Sequence, residues 1–446
     1  MRVFILITFL TQAFALQSQI WLSETQLDTL VVAEGLEIPW DMQRWGEDTI
    51  IFTERGGDIK RLAVNSGVID TLFNSSDVAA EGQAGLMGLQ LHPDFPNDPF
   101  AYVAMCYYVG SNIKLRIDRL TYNSTTDSLE FDESIVSNIP SSNSNTGGRI
   151  MIDEDEFLWL TVGDIKNNDL AQDESSLNGK ILRYNIDGSI PSTNPTSGSA
   201  VYSFGHRNPQ GLAQTETGSI LISEHGPSSN DELNKIESGG NYGWPHVSGF
   251  CNSGTQSICD SLNVVEPLET WSPTIAPAGI EFSAGSEVPE WDNCLLVASL
   301  KEKRLFVSQL NTQEDAVTNT SWILAGDFGR VRDVLIMDGK IYLCTSNRDA
   351  LGFPSNRDDL IVQLSPSKHT GVQEPNREEL TAFVQDNTIR LSKPVNTQVS
   401  VSDPLGRIII QSTLNNEDRI QLPSPTSGLY IVSFLDHYAP IKLIKR

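Results

Sequence analysis

The chain has 446 residues, with 57 Asp and Glu against 31 Lys and Arg, and a formal net charge of -26. This balance argues against nucleic-acid binding, which needs clustered Lys and Arg to neutralise phosphates. It disfavours anionic membranes for the same reason. The length is sufficient for one large domain with a substantial core and one small domain.

The first 19 residues have the pattern of an export signal. Arg2 supplies the positive end, residues 3–10 form an apolar run, and Ala13-Phe14-Ala15 is a small-residue cleavage site. The apolar run is too short to span a bilayer, and no later segment is long enough. We therefore predict a signal peptide over residues 1–19 and a mature protein that is secreted or displayed at the cell surface, without a transmembrane segment.

A weak repeat follows in residues 20–364. A polar turn and a short apolar strand lead to a Ser or Thr at Thr53, Thr161, Ser223 and Thr345. The spacings are close to one or two multiples of roughly 55 to 60 residues, a period typical of propeller blades. Short β-type runs bounded by Gly, Asn and Asp are frequent, whereas long 3.6-residue periodicity is nearly absent. The sequence predicts an all-β chain whose main domain is a six-bladed β-propeller.

Residues 205–245 concentrate the residue types of a functional site. The apolar run at residues 220–222 ends at Glu224-His225-Gly226-Pro227, so a predicted strand stops where polar residues begin. Because Pro227 removes a backbone donor, nearby carbonyls are left as hard oxygen ligands suited to Ca2+. Asp231 and Glu232 add carboxylates. The alternative is a surface turn with two solvated acids and a capping Asn.

The cysteines indicate one local disulfide. Five cysteines in an exported chain leave at least one unpaired. Cys251 and Cys259 bracket a polar, turn-rich loop that a disulfide would tie. Cys106, Cys294 and Cys344 each lie in an apolar run, which indicates buried thiols.

The composition changes after residue 364. Residues 365–376 read Ser-Pro-Ser-Lys-His-Thr-Gly-Val-Gln-Glu-Pro-Asn, which has no core pattern, and we predict a linker over residues 365–380. Short β-type runs then alternate with turns, which predicts a small β-sandwich over residues 381–446. These runs are residues 388–391, 398–401, 407–411, 419–422 and 429–434.

This C-terminal segment resembles the sorting domain of Bacteroidetes proteins exported by the type IX system. The resemblance rests on Gly428-Leu429-Tyr430-Ile431-Val432 and on the basic end at residues 441–446. It implies that the type IX export machinery is a partner and that the domain is removed after export. The alternative is a carbohydrate-binding or structural appendage.

Six motifs occur in the order found in the soluble sugar dehydrogenases that depend on pyrroloquinoline quinone (PQQ), and the chain resembles that family from residue 35 to residue 361. The motifs are residues 81–88 with 91–95, residues 147–150, residues 177–183, residues 205–245, residues 299–301 and residues 329–333. The resemblance implies a propeller that oxidises the anomeric hydroxyl of an aldose, or a related alcohol, by hydride transfer to the quinone. It also implies an electron acceptor as a partner.

The resemblance also implies the site residues. PQQ is a rigid tricarboxylate quinone, so its site needs cations and amides on a concave surface. The implied cofactor contacts are Gln83, Arg207, Asn208, Lys301, Arg330 and Arg332. The carbonyls of Gly226 and Pro227 would hold the Ca2+ that polarises the quinone. Glu232 and Tyr242 resemble ligands of a second, structural calcium.

Two of these assignments have plain alternatives. Arg330 and Arg332 could be a pair of surface cations on one face of a strand. Glu232 could be a solvated acid and Tyr242 a ring of the hydrophobic core.

One position departs from the family pattern. The family carries a basic His shortly before the Gly-Arg segment, and alignment on Gly148-Arg149 places Asn145 there. An amide can orient a hydroxyl but cannot take its proton at neutral pH, and a general base is worth about 10²- to 10⁴-fold in rate. We therefore take His225 as a possible substitute base, with a hydrogen-bonded loop histidine or a cofactor contact as alternatives, and Arg207 as a further catalytic candidate.

Two functions follow from the sequence. The first is an exported PQQ- and Ca2+-dependent sugar or alcohol dehydrogenase. The second is a catalytically impaired propeller that binds PQQ or a glycan without turnover, because Asn145 replaces the base. A hydrolase lacks support, since no carboxylate pair or nucleophile motif has a recognisable spacing.

Overall fold

The computed structural model describes residues 19–367, 382–385, 388–402, 408–422, 428–434 and 441–445. It separates the chain into two compact units, residues 1–367 and residues 368–446. Residues 1–18 of the predicted signal peptide and residues 368–380 of the predicted linker lie outside the described residues.

The first unit is built from antiparallel sheets, most of them formed by four consecutive strands. The first two strands of the described residues are β1 (Gln19–Trp21) and β2 (Gln26–Ala33). The first sheet contains β3 (Pro39–Gly46), β4 (Thr49–Glu54), β5 (Asp58–Ala63) and β6 (Val68–Asn74). The second contains β7 (Leu86–Leu91), β8 (Phe100–Val109), β9 (Asn112–Asn123) and β10 (Ser128–Pro140). The third contains β11 (Gly147–Ile152), β12 (Phe157–Val162), β13 (Lys180–Asn185) and β14 (Val201–Phe204).

The remaining sheets of this unit include the N-terminal strands. The fourth contains β15 (Pro209–Gln214), β16 (Ile220–Glu224), β17 (Asp231–Lys235) and β18 (Glu269–Trp271). The fifth contains β19 (Pro277–Ser283), β20 (Cys294–Ser299), β21 (Leu305–Leu310) and β22 (Val317–Ile323). The last contains β23 (Val331–Met337), β24 (Lys340–Thr345) and β25 (Ile361–Pro366), and β2 pairs with β25 to complete it.

Helices are short in the described part of the chain. They are the α-helix α1 (Gln256–Leu262) and the 3₁₀ helices Asn168–Ala171 and Pro289–Trp291. None of the helices among these residues is long and apolar enough to cross a membrane. The prediction of an all-β chain is confirmed.

The first strands of the sheets lie side by side around a common axis. Contacts run in cyclic order from β3 through β7, β11, β15, β19 and β23, and β23 returns to β3. Arg149 of β11 reaches across the axis to Asp41 of β3 at 2.9 Å and to Asp333 of β23 at 3.1 Å. Loops that precede the first strands are therefore brought to one mouth of a closed arrangement.

The repeated Ser and Thr residues have a structural role in this arrangement. Thr53 on β4 donates from Oγ1 to the carbonyl of Met87 on β7 at 2.7 Å, and Ser223 on β16 donates to the carbonyl of Ala278 on β19 at 2.7 Å. Each hydroxyl joins the second strand of one sheet to the first strand of the next.

The cysteines are arranged as follows. A disulfide joins Cys251 and Cys259, just before and within α1. Cys106, Cys294 and Cys344 are buried free thiols.

The second unit contains one five-stranded antiparallel sheet among its described residues. Its strands are β26 (Ala382–Gln385), β27 (Thr388–Ser402), β28 (Ile408–Gln421), β29 (Gly428–Phe434) and β30 (Ile441–Lys445). The runs predicted at residues 388–391 and 398–401 are parts of the single strand β27, which continues across a β-bulge between Arg390 and Val395. The two runs predicted at residues 407–411 and 419–422 also fall mainly within one strand, β28. Val395 is buried between the two runs predicted within β27, so the strand continues through a stretch that the sequence analysis assigned to neither run.

Candidate active site

The predicted site residues come from the loops at the mouth of the first unit. Gln83 precedes β7, Asn145 precedes β11, and Arg330 precedes β23. Arg207 and Asn208 lie directly before β15. Lys301 follows the second strand of its sheet, β20, as Gly226 and Pro227 follow β16, and Arg332 lies on β23 itself.

A chain of contacts joins Gln83 to Arg207 across three loops. The backbone N–H of Asn145 donates to Gln83 Oε1 at 2.7 Å, and Asn145 Nδ2 donates to Asp164 Oδ1 at 2.9 Å. Asp164 Oδ2 accepts from Trp244 Nε1 at 2.9 Å. The Arg207 guanidinium lies 5.5 Å from the centroid of the Trp244 ring. The loops of different sheets are thus held in one network.

Asp164 sets the orientation of the Asn145 amide. A carboxylate only accepts hydrogen bonds, so the amide must turn Nδ2 toward Asp164 and Oδ1 away from it. Asn145 is buried and has a φ of 50°, a left-handed conformation that Asn adopts more readily than most residues. It therefore presents a fixed hydrogen-bond acceptor. The sequence analysis missed Asp164, although an acidic residue two positions after the apolar strand β12 was a usable signal.

Arg207 and Asn208 contact the end of the neighbouring hairpin and the opposite side of the mouth. Arg207 Nη1 donates to the carbonyls of His225 at 3.0 Å and Gly226 at 2.8 Å. Asn208 Oδ1 accepts from Gln210 Nε2 at 3.2 Å, and Gln210 Oε1 accepts from Arg332 Nη1 at 3.2 Å. Gln210 therefore connects two predicted cofactor residues that are far apart in sequence.

Asp349 anchors the remaining cations. Arg330 donates to Asp349 Oδ2 from Nη2 at 2.8 Å and from Nε at 3.1 Å, and Arg332 Nη2 lies 3.9 Å from the same oxygen. Arg330 Nη1 also donates to the carbonyl of Leu300 at 3.3 Å, next to Lys301. Lys301 is exposed, and its Nζ donates to Thr274 Oγ1 at 2.6 Å.

Burial decides between the two interpretations of the paired arginines. Arg330 and Arg332 are each 8% exposed, so the alternative of two surface cations is wrong. Burial lowers the pKa of Arg332 to about 10, against the charge of Asp349, which raises it. The guanidinium remains charged at neutral pH. Arg207, Arg330 and Arg332 all lie near His225, so they concentrate positive charge at this mouth, which suits a polyanion.

His225 lies among these cations and is neutral. Its Nε2 donates to the carbonyl of Pro277 at 2.8 Å, because a carbonyl can only accept. Burial, followed by the nearby charges of Arg332, Arg207 and Arg330, lowers its pKa to about 3. A group with so low a pKa is a poor general base at neutral pH. The geometry favours the alternative of a hydrogen-bonded loop histidine.

We expect the His225 imidazole to remain neutral from about pH 8 to about pH 5 in NMR titrations, with the His225→Asn variant used for assignment. Between its unfolded value of 6.5 and its folded value of about 3, the unfolded chain binds a proton that the folded chain does not. The free energy of unfolding should therefore decrease as the pH falls through this interval. A titration midpoint near pH 6.5 for His225 would contradict this.

The two acids after the hairpin are not part of a surface turn. Asp231 and Glu232 lie on β17 and are 1% and 8% exposed, so the alternative of two solvated acids is wrong. Asp231 accepts from the backbone N–H groups of Gly226, Ile275 and Ala276, at 2.7 Å each. Burial and the nearby charge of Glu224 raise the pKa of Glu232 to about 8.

The side-chain hydroxyl of Tyr242 is already occupied by hydrogen bonds and is not free to bind a metal. Its hydroxyl donates to the carbonyl of Lys235 at 2.5 Å and accepts from the N–H of Glu237 at 2.9 Å. Its ring stacks on His206 with centroids 4.5 Å apart. A metal here would use the Tyr242 carbonyl and the Glu232 carboxylate. Among the described residues, no group of three or more His, Cys, Asp and Glu side chains is arranged to hold a metal.

Comparisons with known proteins identify the family. The family model described as glucose/sorbosone dehydrogenase matches residues 36–352. Quinoprotein glucose dehydrogenase B of Acinetobacter calcoaceticus is 32% identical over 403 residues, which cover 70% of this chain and 84% of that protein. An aldose sugar dehydrogenase of Escherichia coli is 30% identical over 356 residues, which cover 76% of this chain and 95% of that protein.

A solved structure supports the same assignment. The PQQ-bound form of an aldose sugar dehydrogenase from Streptomyces coelicolor superposes with a TM-score of 0.68 at 32% identity, covering 76% of this chain and 98% of that one. The chain therefore belongs to the glucose/sorbosone dehydrogenase family, a class of all-β oxidoreductases with a propeller-like arrangement of sheets.

Proposed function

We propose that the chain is an exported PQQ- and Ca2+-dependent dehydrogenase that oxidises the anomeric hydroxyl of aldose sugars or a related alcohol, on a six-bladed propeller. The observation that carries the proposal is the convergence of the half-buried Arg207 and the buried Arg330 and Arg332 at one mouth of a chain with a net charge of -26. Membership of the family and the quinone named for two of its relatives support it.

The donor groups at the mouth fit a polyanionic quinone. Among the described residues, Asn208 Nδ2 and Arg332 Nε are buried polar atoms without a hydrogen-bond partner. Leaving such donors unsatisfied costs about 1 to 3 kcal/mol each, so a ligand that accepts from both is favoured. Arg332 and Asn208 are the residues that would hold the carboxylates and carbonyls of PQQ, with Arg330 and Gln83 beside them.

The oxygen donors for the first calcium also fit. The carbonyls of His225 and Gly226 accept hydrogen bonds from the Arg207 guanidinium, which supports a role for this strand end in binding cations. Backbone carbonyls are ligands that Ca2+ prefers. The carbonyls of Gly226 and Pro227 would hold the Ca2+. The second calcium is proposed at Glu232 and Tyr242 on the family resemblance.

The protein's own residues have separable tasks in this proposal. Asn145 accepts a hydrogen bond from the substrate hydroxyl through Oδ1, because Asp164 holds the other end of its amide. Arg207 presents positive charge at the hairpin end, and Arg330 and Arg332 bind the polyanion. When bound, PQQ and Ca2+ supply a polarised quinone carbonyl that accepts a hydride. An electron acceptor is then needed to complete the cycle.

A second candidate function rests on the missing base. Asn145 cannot take a proton and His225 has a pKa of about 3, so neither supplies ordinary general-base catalysis at neutral pH. This favours a catalytically impaired propeller that binds PQQ or a glycan without turnover. The two candidates share the binding site and differ in the chemical step.

Export is part of the proposal on sequence grounds. The signal pattern of residues 1–19 and the resemblance of the C-terminal segment to a type IX sorting domain both support it. We propose that the second unit is a small β-sandwich that directs the protein to the cell surface or the medium.

Reconstitution tests the function. We expect apo-protein supplied with PQQ and Ca2+ to reduce a redox dye with at least one aldose from a panel, and removal of Ca2+ by a chelator to abolish the reduction. Dye reduction that is independent of PQQ would contradict the proposal. Saturable PQQ binding without any dye reduction would support the impaired propeller instead.

A further inference from the structure

Glu224 lies behind the basic mouth and binds the loop that carries two of its residues. It is the last residue of β16 and is 4% exposed. Its Oε1 accepts from the backbone N–H groups of Arg207 and Asn208, the latter at 3.2 Å. Its Oε2 accepts from His206 Nδ1 at 3.0 Å. One carboxylate therefore bonds to three consecutive residues, two of them at the candidate cofactor site.

The carboxylate is itself held rigidly. His206 is fully buried, its Nε2 accepts from Ser203 Oγ at 2.8 Å, and its ring stacks on Tyr242. Ser203 is fully buried too. This Ser, His and Glu arrangement has the contacts of a nucleophilic triad, but no substrate can reach a serine with no exposed surface. The network therefore has a positioning role.

The C-terminal end of β16 makes a second set of contacts with the loop that carries Arg207. Arg207 Nη1 donates to the carbonyls of His225 and Gly226, the two residues that follow Glu224. The loop backbone is fixed by the Glu224 side chain, and the Arg207 side chain is fixed by the backbone after Glu224. Loss of the carboxylate would leave two backbone N–H groups and His206 without their acceptor, which shifts the loop or leaves buried donors unpaired.

We propose that Glu224 is a positioning residue that sets the placement of Arg207 and Asn208 for cofactor binding. This rests on the proposed function, because it gives those two residues their role at the quinone. Glu224 does not touch the cofactor itself. It acts through the backbone of residues 206–208.

Three variants separate this role from general stability. Glu224→Ala removes every acceptor. Glu224→Gln retains an oxygen for the backbone N–H groups, and its amide N–H can donate to His206 once that ring adopts the other tautomer, since the Ser203 hydroxyl can also accept. Glu314→Ala is the matched control. Glu314 is 3% exposed and accepts from Thr215 and Thr217, at the far end of the same β-hairpin and away from the mouth.

Two measurements are made on each variant in the full chain. Hydrogen exchange of the Arg207 and Asn208 amides is followed in the apo-protein, and PQQ affinity is measured in the presence of Ca2+. For Glu224→Ala we expect both amides to exchange at least about tenfold faster and PQQ to bind about tenfold more weakly. Glu224→Gln should restore both quantities to within about threefold of the wild type.

The control and the exchange data make the outcomes distinct. Glu314→Ala should lower the melting temperature while leaving the two amides and PQQ affinity unchanged. Unchanged protection and affinity in Glu224→Ala, or an equal loss of affinity in Glu314→Ala, would overturn the proposal. If the wild type binds no PQQ, the proposed function fails, and the exchange data still decide whether Glu224 positions the loop.

Discussion

The Asn145→His variant should turn over substrate about 100-fold faster than the wild type, because it introduces a general base worth about 10²- to 10⁴-fold. The surroundings of residue 145 suit an imidazole side chain. Asp164 Oδ1 lies 2.9 Å from Asn145 Nδ2, so a His Nδ1–H can donate there and leave Nε2 free for the substrate hydroxyl. His also tolerates the left-handed backbone at this position. Initial rates of dye reduction measure the effect.

Two controls show whether the gain comes from a positioned imidazole. Asn145→Ala should not raise the rate. Combining Asn145→His with Asp164→Asn should remove most of the gain, because an amide at position 164 no longer fixes the tautomer and orientation of the ring. If Asn145→His binds PQQ normally and is no faster than the wild type, the base has been assigned to the wrong position.

The Arg332→Ala variant should need about 100-fold more PQQ for half-maximal reactivation, a loss of about 2.7 kcal/mol of binding free energy. Arg332 is buried, and its Nε has no hydrogen-bond partner among the described residues. The variant should lose little thermal stability, because burial and the charges of Arg330 and Arg149 disfavour the charged guanidinium in the apo-protein and offset its attraction to Asp349. Dye reduction as a function of PQQ concentration measures the change.

The Arg304→Ala and Arg332→Lys variants are the controls for Arg332→Ala. The Arg304 guanidinium lies 3.8 Å from the centroid of the Trp322 ring and pairs with Glu302, neither of which is a predicted site residue, so Arg304→Ala should reactivate like the wild type. Arg332→Lys keeps the charge without the planar fork and should fall between the two. An Arg332→Ala enzyme that is half-reactivated at the wild-type concentration would show that Arg332 is not a cofactor contact.

Much of the architecture was predictable because it depends on short-range patterns. The repeated hydroxyl at Thr53 and Ser223 was visible in the sequence, and the structure shows its cause, a bond from each to the next sheet. The long strands of the second unit were not predictable in the same way. Their polar stretches resembled turns, whereas pairing on both sides of β27 carries the strand through a bulge.

The site was predictable where motifs carried it and not where a residue outside the motifs acts through a tertiary contact. The basic residues were named from the family resemblance, and the structure brings them to one mouth. Asp349, Asp164 and Gln210 were missed, because their roles depend on side-chain contacts that the sequence does not show: Asp349 with Arg330, Asp164 with Asn145, and Gln210 with Arg332. The low pKa of His225 could not be predicted either, since it results from burial beside three arginines that come from two distant segments of the chain, Arg207 from one and Arg330 with Arg332 from the other.

Calorimetric titration of apo-protein with PQQ in the presence of Ca2+ tests most directly whether the basic mouth is a quinone site. The account predicts saturable binding of about one PQQ per chain, with a dissociation constant of about 1 μM or below and weaker binding as salt is added. The absence of saturable binding at micromolar concentrations of protein and PQQ would contradict it.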